Sequence, residues 1–159
     1  MTSLHPAEEF IGPARRILAA VRARLAPLLP PHELTLTGGS SVPGALTKGD
    51  VDLHLSVAPG DFATTVETLR TLYDVVHPEI WQGTLATFAV AADLPTGLAV
   101  TPAGSEHDVR FRRTWQLLAA DPRLVAEYNA VKLGAGDDYE SRKSAFFDRL
   151  LAADTGPAE

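Results

Sequence analysis

The stretch Leu36-Thr37-Gly38-Gly39-Ser40-Ser41-Val42-Pro43-Gly44-Ala45-Leu46-Thr47-Lys48-Gly49-Asp50-Val51-Asp52-Leu53-His54-Leu55 decides how this chain is read. From Asp50 to Val57, polar and apolar residues alternate without a break over eight positions. A period of two places one set on each face of a strand, so the spacing predicts a strand over 50–57. Upstream, Glu33-Leu34-Thr35-Leu36-Thr37 alternates as well and is rich in Thr, a second strand that runs into Gly38-Gly39. A loop or short helical turn through Pro43-Gly44 joins the two.

Outward from this pair, the pattern changes period. Residues 13–25 read as an amphipathic helix that opens on Pro13, carries apolar Ile17, Leu18, Val21 and Leu25, and ends before Pro27. Pro59-Gly60-Asp61 opens a helix to about Leu72, with Asp61 as its expected N-cap. Tyr73 to His77 forms a short strand, and Leu85–Ala92 and Leu98–Thr101 form two more around a turn at Pro95-Thr96-Gly97. Beyond Gly104 three helices are expected: Asp121-Pro122 caps one of them, and Asp137 with Glu140 resembles a capping box. The fold class is therefore α+β, a small mixed β-sheet of about four to five strands flanked by helices, with a helical C-terminal segment. Residues 1–153 are expected to form one domain, and 154–159 a disordered tail.

Composition narrows the partners. The 159 residues carry 14 Lys and Arg against 20 Asp and Glu, a formal charge of −6 that argues against long nucleic acid as a partner. The absence of Cys excludes disulfides and thiolate metal sites, and no run of about 18 apolar residues marks a membrane span. A cytoplasmic location is the expectation. Only three of the cations are Lys, at positions 48, 132 and 143.

On a strand over 50–57, Asp50 and Asp52 project from one face with His54 beside them. Paired carboxylates suit a hard cation such as Mg²⁺ that brings phosphate oxygens with it. The Gly38-Gly39-Ser40 turn offers backbone N–H groups to phosphate. The same alternation equally describes a half-buried strand with a solvated face. Repulsion between Asp50 and Asp52, and the poor strand propensity of Asp, favour a ligand. Tyr128 with Lys132, and Tyr139 with Lys143, stand four apart, each pair on one helix face. Arg110, Arg112 and Arg113 read as a solvated basic face, and Trp81 and Trp115 as packing residues.

Gly39-Ser40 followed after nine residues by Asp50-Val51-Asp52 resembles the signature of the DNA polymerase β-like nucleotidyltransferase superfamily. Within it, Gly38-Gly39-Ser40-Ser41-Val42-Pro43-Gly44 with Lys48 resembles the GrpB-like family, as do Tyr128-x-x-x-Lys132 and Tyr139-x-x-x-Lys143-x-x-Phe146. The resemblance implies that Asp50 and Asp52 bind Mg²⁺ and that Gly38, Gly39, Ser40, Ser41 and Lys48 hold the phosphates. Tyr128, Lys132, Tyr139 and Lys143 would complete the substrate site. A nucleotidyl group would pass from a nucleoside triphosphate to an acceptor. Counted from Lys48, the family's acidic pair falls on Asp52 and His54, so His54 is kept as a further metal candidate. Leu85–Ala92 and Leu98–Thr101 hold no third carboxylate; Asp93, Glu106 and Asp108 are the nearest. A degenerate member that only binds a nucleotide or a phosphorylated metabolite, such as a coenzyme A precursor, is the alternative, and a protein-partner module the next.

Overall fold

Alternation along the central strand divides the molecule in two, because Val51, Leu53, Leu55 and Val57 turn to one side of the sheet and Asp52, His54 and Ser56 to the other. The structure, a computed structural model, describes residues 4–81, 83–134 and 138–154. In chain order its elements are β1 (His5–Pro6), α1 (Ile11–Leu25), β2 (His32–Thr37), β3 (Leu46–Thr47), β4 (Val51–Val57), α2 (Phe62–Arg70), β5 (Asp74–Val75), β6 (Ala86–Val90) and β7 (Thr96–Pro102). Three helices follow, α3 (Glu106–Ala120), α4 (Pro122–Leu133) and α5 (Tyr139–Asp154). The α+β class and the helical C-terminal segment are as expected.

Five strands form one mixed sheet in the order β2-β4-β7-β6-β5, and β1 pairs with β3 in a separate ribbon. Only β4 and β7 run parallel. A parallel pair needs a crossover, which α2, β5 and β6 supply. Across the sheet, Leu53 stands beside Leu98 and Leu98 beside Phe88, a fully buried row. These residues join Ala14, Ile17, Val21 and Leu25 of α1 and Val66 and Leu69 of α2 in the main apolar core. Each of the Val, Leu, Ile and Phe side chains among them contributes about 1.5–3 kcal/mol by leaving water.

A second core lies among α3, α4, α5 and the loop before β4, built on Val42, Ala45, Leu118, Tyr128, Phe146 and Leu150. Trp81 packs on Phe88 of the first core and Trp115 on Tyr128 and Phe147 of the second, so both are packing residues as expected. Beyond Asp52 the polar face of β4 is not solvated: α3 covers it, burying His54 and Ser56.

Two local expectations need correction. The turn placed at 95–97 lies earlier, because Thr96 and Gly97 already pair with Val90 and Ala89 inside β7. Asp61 precedes α2 but makes no side-chain cap; Thr64 instead donates its hydroxyl to the Asp61 carbonyl. Asp121 does cap α4, accepting from the Arg123 amide. Asp137 of the expected capping box and residues 155–159 of the expected tail lie outside the described residues, while Asp154 closes α5.

Candidate functional site

The loop leaving β2 makes the approach between glycine and carboxylate that the site is built on. Gly38 has φ +77°, a left-handed conformation that side chains resist, and a Cβ there would overlap the Asp52 carboxylate. Glycine thus lets the loop backbone lie directly on Asp52. Residues 39–41 then form a single 3₁₀ turn. Ser40 is fully buried and donates its hydroxyl to the Asp50 carbonyl at 2.6 Å, while Ser41 donates to the Gly38 carbonyl at 2.6 Å. Both hydroxyls brace the loop and the entry to β4 instead of facing a ligand.

Gly38, Gly39, Lys48, Asp50, Asp52, Tyr128, Lys132, Tyr139 and Lys143, nine of the residues expected at the site, line one cavity of about 430 Å³. The lysines come from the loop before β4, from α4 and from α5, so distant parts of the chain converge as expected. Lys48 Nζ lies 3.7 Å from Asp50. Lys132 Nζ donates to the Leu46 carbonyl at 2.5 Å and sits over the Tyr128 ring at 4.8 Å. Lys143 lies 3.4 Å from Glu140 and over the Tyr139 ring at 5.3 Å. Tyr128 lines the cavity but is mostly buried: its ring packs among Trp115, Phe146 and Phe147, and its hydroxyl pairs with that of Tyr139.

Electrostatics follow from this crowding. Asp52 opens to the cavity yet is walled in by protein on most sides. Burial, and next the neighbouring Asp50, raise its carboxyl above the ordinary value, while Lys143, Lys132 and Lys48 pull the other way. Burial and the Lys143 ammonium lower Lys132 to about 8, with Asp52 and Asp50 opposing them. A cavity of three ammonium groups over two carboxylates suits a ligand that carries both phosphate and a divalent cation.

His54 is the expected metal candidate that the fold takes elsewhere. It is 1% exposed, its Nε2 lies 2.7 Å from the Thr101 hydroxyl, and its ring stacks on Phe111 at 5.1 Å. The next same-face residue along β4 after Asp52 is already under α3, so facing alike does not mean sharing a ligand. Among the described residues no three His, Cys, Asp or Glu side chains are grouped to hold a metal. Of the third-carboxylate candidates, Asp108 is buried against Thr101 and the Gly104 amide, and neither Asp93 nor Glu106 lines the cavity that holds Asp50 and Asp52 or the one adjoining it. Beside Asp52 the sheet presents Gly97 and Ala99 of β7 and Ala89 and Thr87 of β6.

Those small residues floor a second, larger cavity of about 740 Å³ that continues from the first through Gly38, Asp50, Asp52, Trp115 and Lys143. Phe111, Trp115 and Phe147 line it. Sequence reasoning missed these residues. The available signal was the alternation Thr87, Ala89 and Gly97, Ala99, whose members are too small to fill the face they occupy. Arg110 and Arg112 are paired with Asp148, Glu33 and Asp108, as expected of a solvated basic face.

No family model matches the chain. A UPF0157 protein of Vibrio cholerae is 27% identical over 154 residues, which cover 92% of this chain and 80% of that protein. Conserved protein GrpB from Enterococcus faecalis has a similar fold, with a TM-score of 0.64 at 11% identity over 94% of this chain and 98% of that one. A mutant of the Cid1 poly(U) polymerase bound to MgATP gives 0.57 at 16% identity, over 81% of this chain and 43% of the polymerase chain. Among the described residues no helix is long and apolar enough to cross a membrane.

Proposed function

Since this chain carries the GrpB-like nucleotidyltransferase fold, we propose that it binds a nucleoside triphosphate with Mg²⁺ between Asp50, Asp52 and its three lysines and transfers the nucleotidyl group to a small acceptor. The observation that carries the reading is the convergence of Lys48, Lys132 and Lys143 on the carboxylate pair in one cavity. The donor set fits Mg²⁺: this ion needs only one or two carboxylates when phosphates supply its other ligands. Asp50 and Asp52 would hold it, and when bound it neutralises phosphate charge and aligns the reacting groups.

The rest is the work of this chain. Lys132 and Lys143 offset the charge of the β- and γ-phosphates, and the Gly38-Gly39 backbone lets the phosphates approach without a Cβ in the way. The acceptor oxygen bonds to the α-phosphorus, the bond to the bridging oxygen breaks, pyrophosphate leaves, and the acceptor's proton is lost to water. The location that fits this chemistry is the cytoplasm, where nucleoside triphosphates and Mg²⁺ are both available.

A second reading is favoured by one observation. Gly97, Ala99, Ala89 and Thr87 stand where a third carboxylate on the sheet would face Asp52, and a site that lacks it binds the nucleotide without turning it over. Calorimetric titration with each Mg·nucleoside triphosphate, followed by an assay of pyrophosphate release, separates the two. We expect metal-dependent binding that Asp52→Asn weakens at least tenfold. Binding without pyrophosphate selects the second reading. Absence of binding to every triphosphate overturns both.

A further inference from the structure

The larger cavity is mainly apolar, with Arg110 and Lys143 among its lining residues. Its floor is a patch of sheet made by Thr87, Ala89, Gly97 and Ala99, two residues on each of two adjacent strands. Residues two apart on a strand are separated by about 7 Å, and neighbouring strands by about 5 Å, so the patch matches the face of a six-membered ring. Aromatic side chains of α3 and α5 wall it. The lone side-chain gap at Gly97 opens directly against the carboxylate pair, since a Cβ there would lie 3.9 Å from Asp52 Oδ1.

Two further observations point to an occupant. Thr114 on α3 lines this cavity, is 2% exposed, and its hydroxyl has no hydrogen-bond partner, which is costly for a buried polar group. The floor is also half-buried beneath α3 and α5, and it joins the lysine-lined cavity past Gly38, Asp50, Asp52, Trp115 and Lys143. An apolar, flat-floored space with a polar outlet is the shape of a site for an apolar ring bearing a polar end.

We propose that the cavity over Thr87, Ala89, Gly97 and Ala99 is the acceptor site, and that it takes a small molecule with a ring-sized apolar body and a hydroxyl directed at Asp50 and Asp52. The assignment of the hydroxyl end rests on the nucleotidyltransferase reading; the binding of the ring does not.

The test uses 2-phenylethanol as the ring probe and glycerol as the hydroxyl-only control, with binding read by ligand-observed NMR on the full chain. The wild type is expected to bind 2-phenylethanol at about millimolar Kd, appropriate to so few atoms, and glycerol not detectably. Ala89→Phe lays a ring over Gly97 from the neighbouring strand and should weaken the probe at least tenfold. Ala99→Leu, which fills the floor with a smaller group, should do the same. Mg·ATP affinity should stay within threefold in both, which also shows that the variants are folded. Asp52→Asn should weaken Mg·ATP at least tenfold. If 2-phenylethanol does not bind the wild type, or binds both filled variants as well, the acceptor site is overturned. If Mg·ATP alone fails to bind, the nucleotidyltransferase reading falls and the ring site stands.

Discussion

Lys132 shows how far one residue's chemistry is set by its neighbours. Its ammonium is held by the Leu46 carbonyl and the Tyr128 ring, and burial together with Lys143 lowers it to about 8. Phosphate binds the charged form, so affinity should fall as pH rises through 8. Between pH 7 and 9 we expect inorganic pyrophosphate to bind about tenfold more weakly, the effect of losing one proton over that window. Calorimetry across that range checks it. Lys132→Arg keeps its charge and should flatten the profile; a flat wild-type profile removes Lys132 from the site. That this lysine and Lys143 belong together was legible from their scarcity and from the Tyr-x-x-x-Lys spacing. The burial of Ser40 and Ser41 hydroxyls in the loop's own bracing was not, because a sequence does not say which way a hydroxyl turns.

At the scale of elements, α3 is fastened to the sheet by a buried polar network. His54 touches Thr101, and Thr101 donates to Asp108 Oδ1 at 3.0 Å. Asp108 Oδ2 accepts from the Gly104 amide at 2.9 Å, with Arg112 at 3.5 Å. Burial opposes ionisation of Asp108, but hydrogen bonds from Gly104, Ser56 and Thr101, with His54 nearby, outweigh it and hold its carboxyl below the ordinary value. Burial lowers His54 to about 4; Asp108 opposes this and Arg112 adds to it.

The unfolded chain therefore takes up a proton near pH 6.5, before the native state does. The stability is complete above that pH and is lost as pH falls toward 4, about 3 kcal/mol in all. Asp52, whose carboxyl is raised by burial and by Asp50, works against this decline as it takes up its own proton. Urea unfolding at pH 7.5, 6 and 5 should show the decline, and His54→Phe should remove most of it. A wild-type profile unchanged down to pH 5 contradicts the neutral buried imidazole. Alternation identified β4 and both its faces, but not what covers the polar one, because sheet-to-helix packing is a long-range outcome. Gly97 looked like a turn for the same reason: Pro95-Thr96-Gly97 is turn chemistry locally, and pairing with Ala89 overrides it.

For the whole molecule, charge is distributed by location more than by amount. A chain with a formal charge of −6 gathers its only three lysines around one cavity, which favours a compact anion and repels a long one. At 0.15 M salt a labelled twenty-nucleotide single-stranded RNA should bind no more tightly than about 0.1 mM by fluorescence anisotropy, the range of non-specific contact. Micromolar binding would show that the likeness to the poly(U) polymerase extends beyond the fold.

The position of the cavities between two separate apolar cores also has a mechanical side. Asp50, Asp52 and Gly38 belong to the sheet and its loop, whereas Lys132, Lys143 and Trp115 belong to the helices packed on it. Lys132 of α4 and Lys143 of α5 repel each other on the helix side of this seam. A bound anion replaces that repulsion with attraction to both and to Lys48 in the loop before β4, so the occupant acts as a tie rod between sheet and helices. Its departure leaves α4 and α5 as the part of the protein free to loosen first.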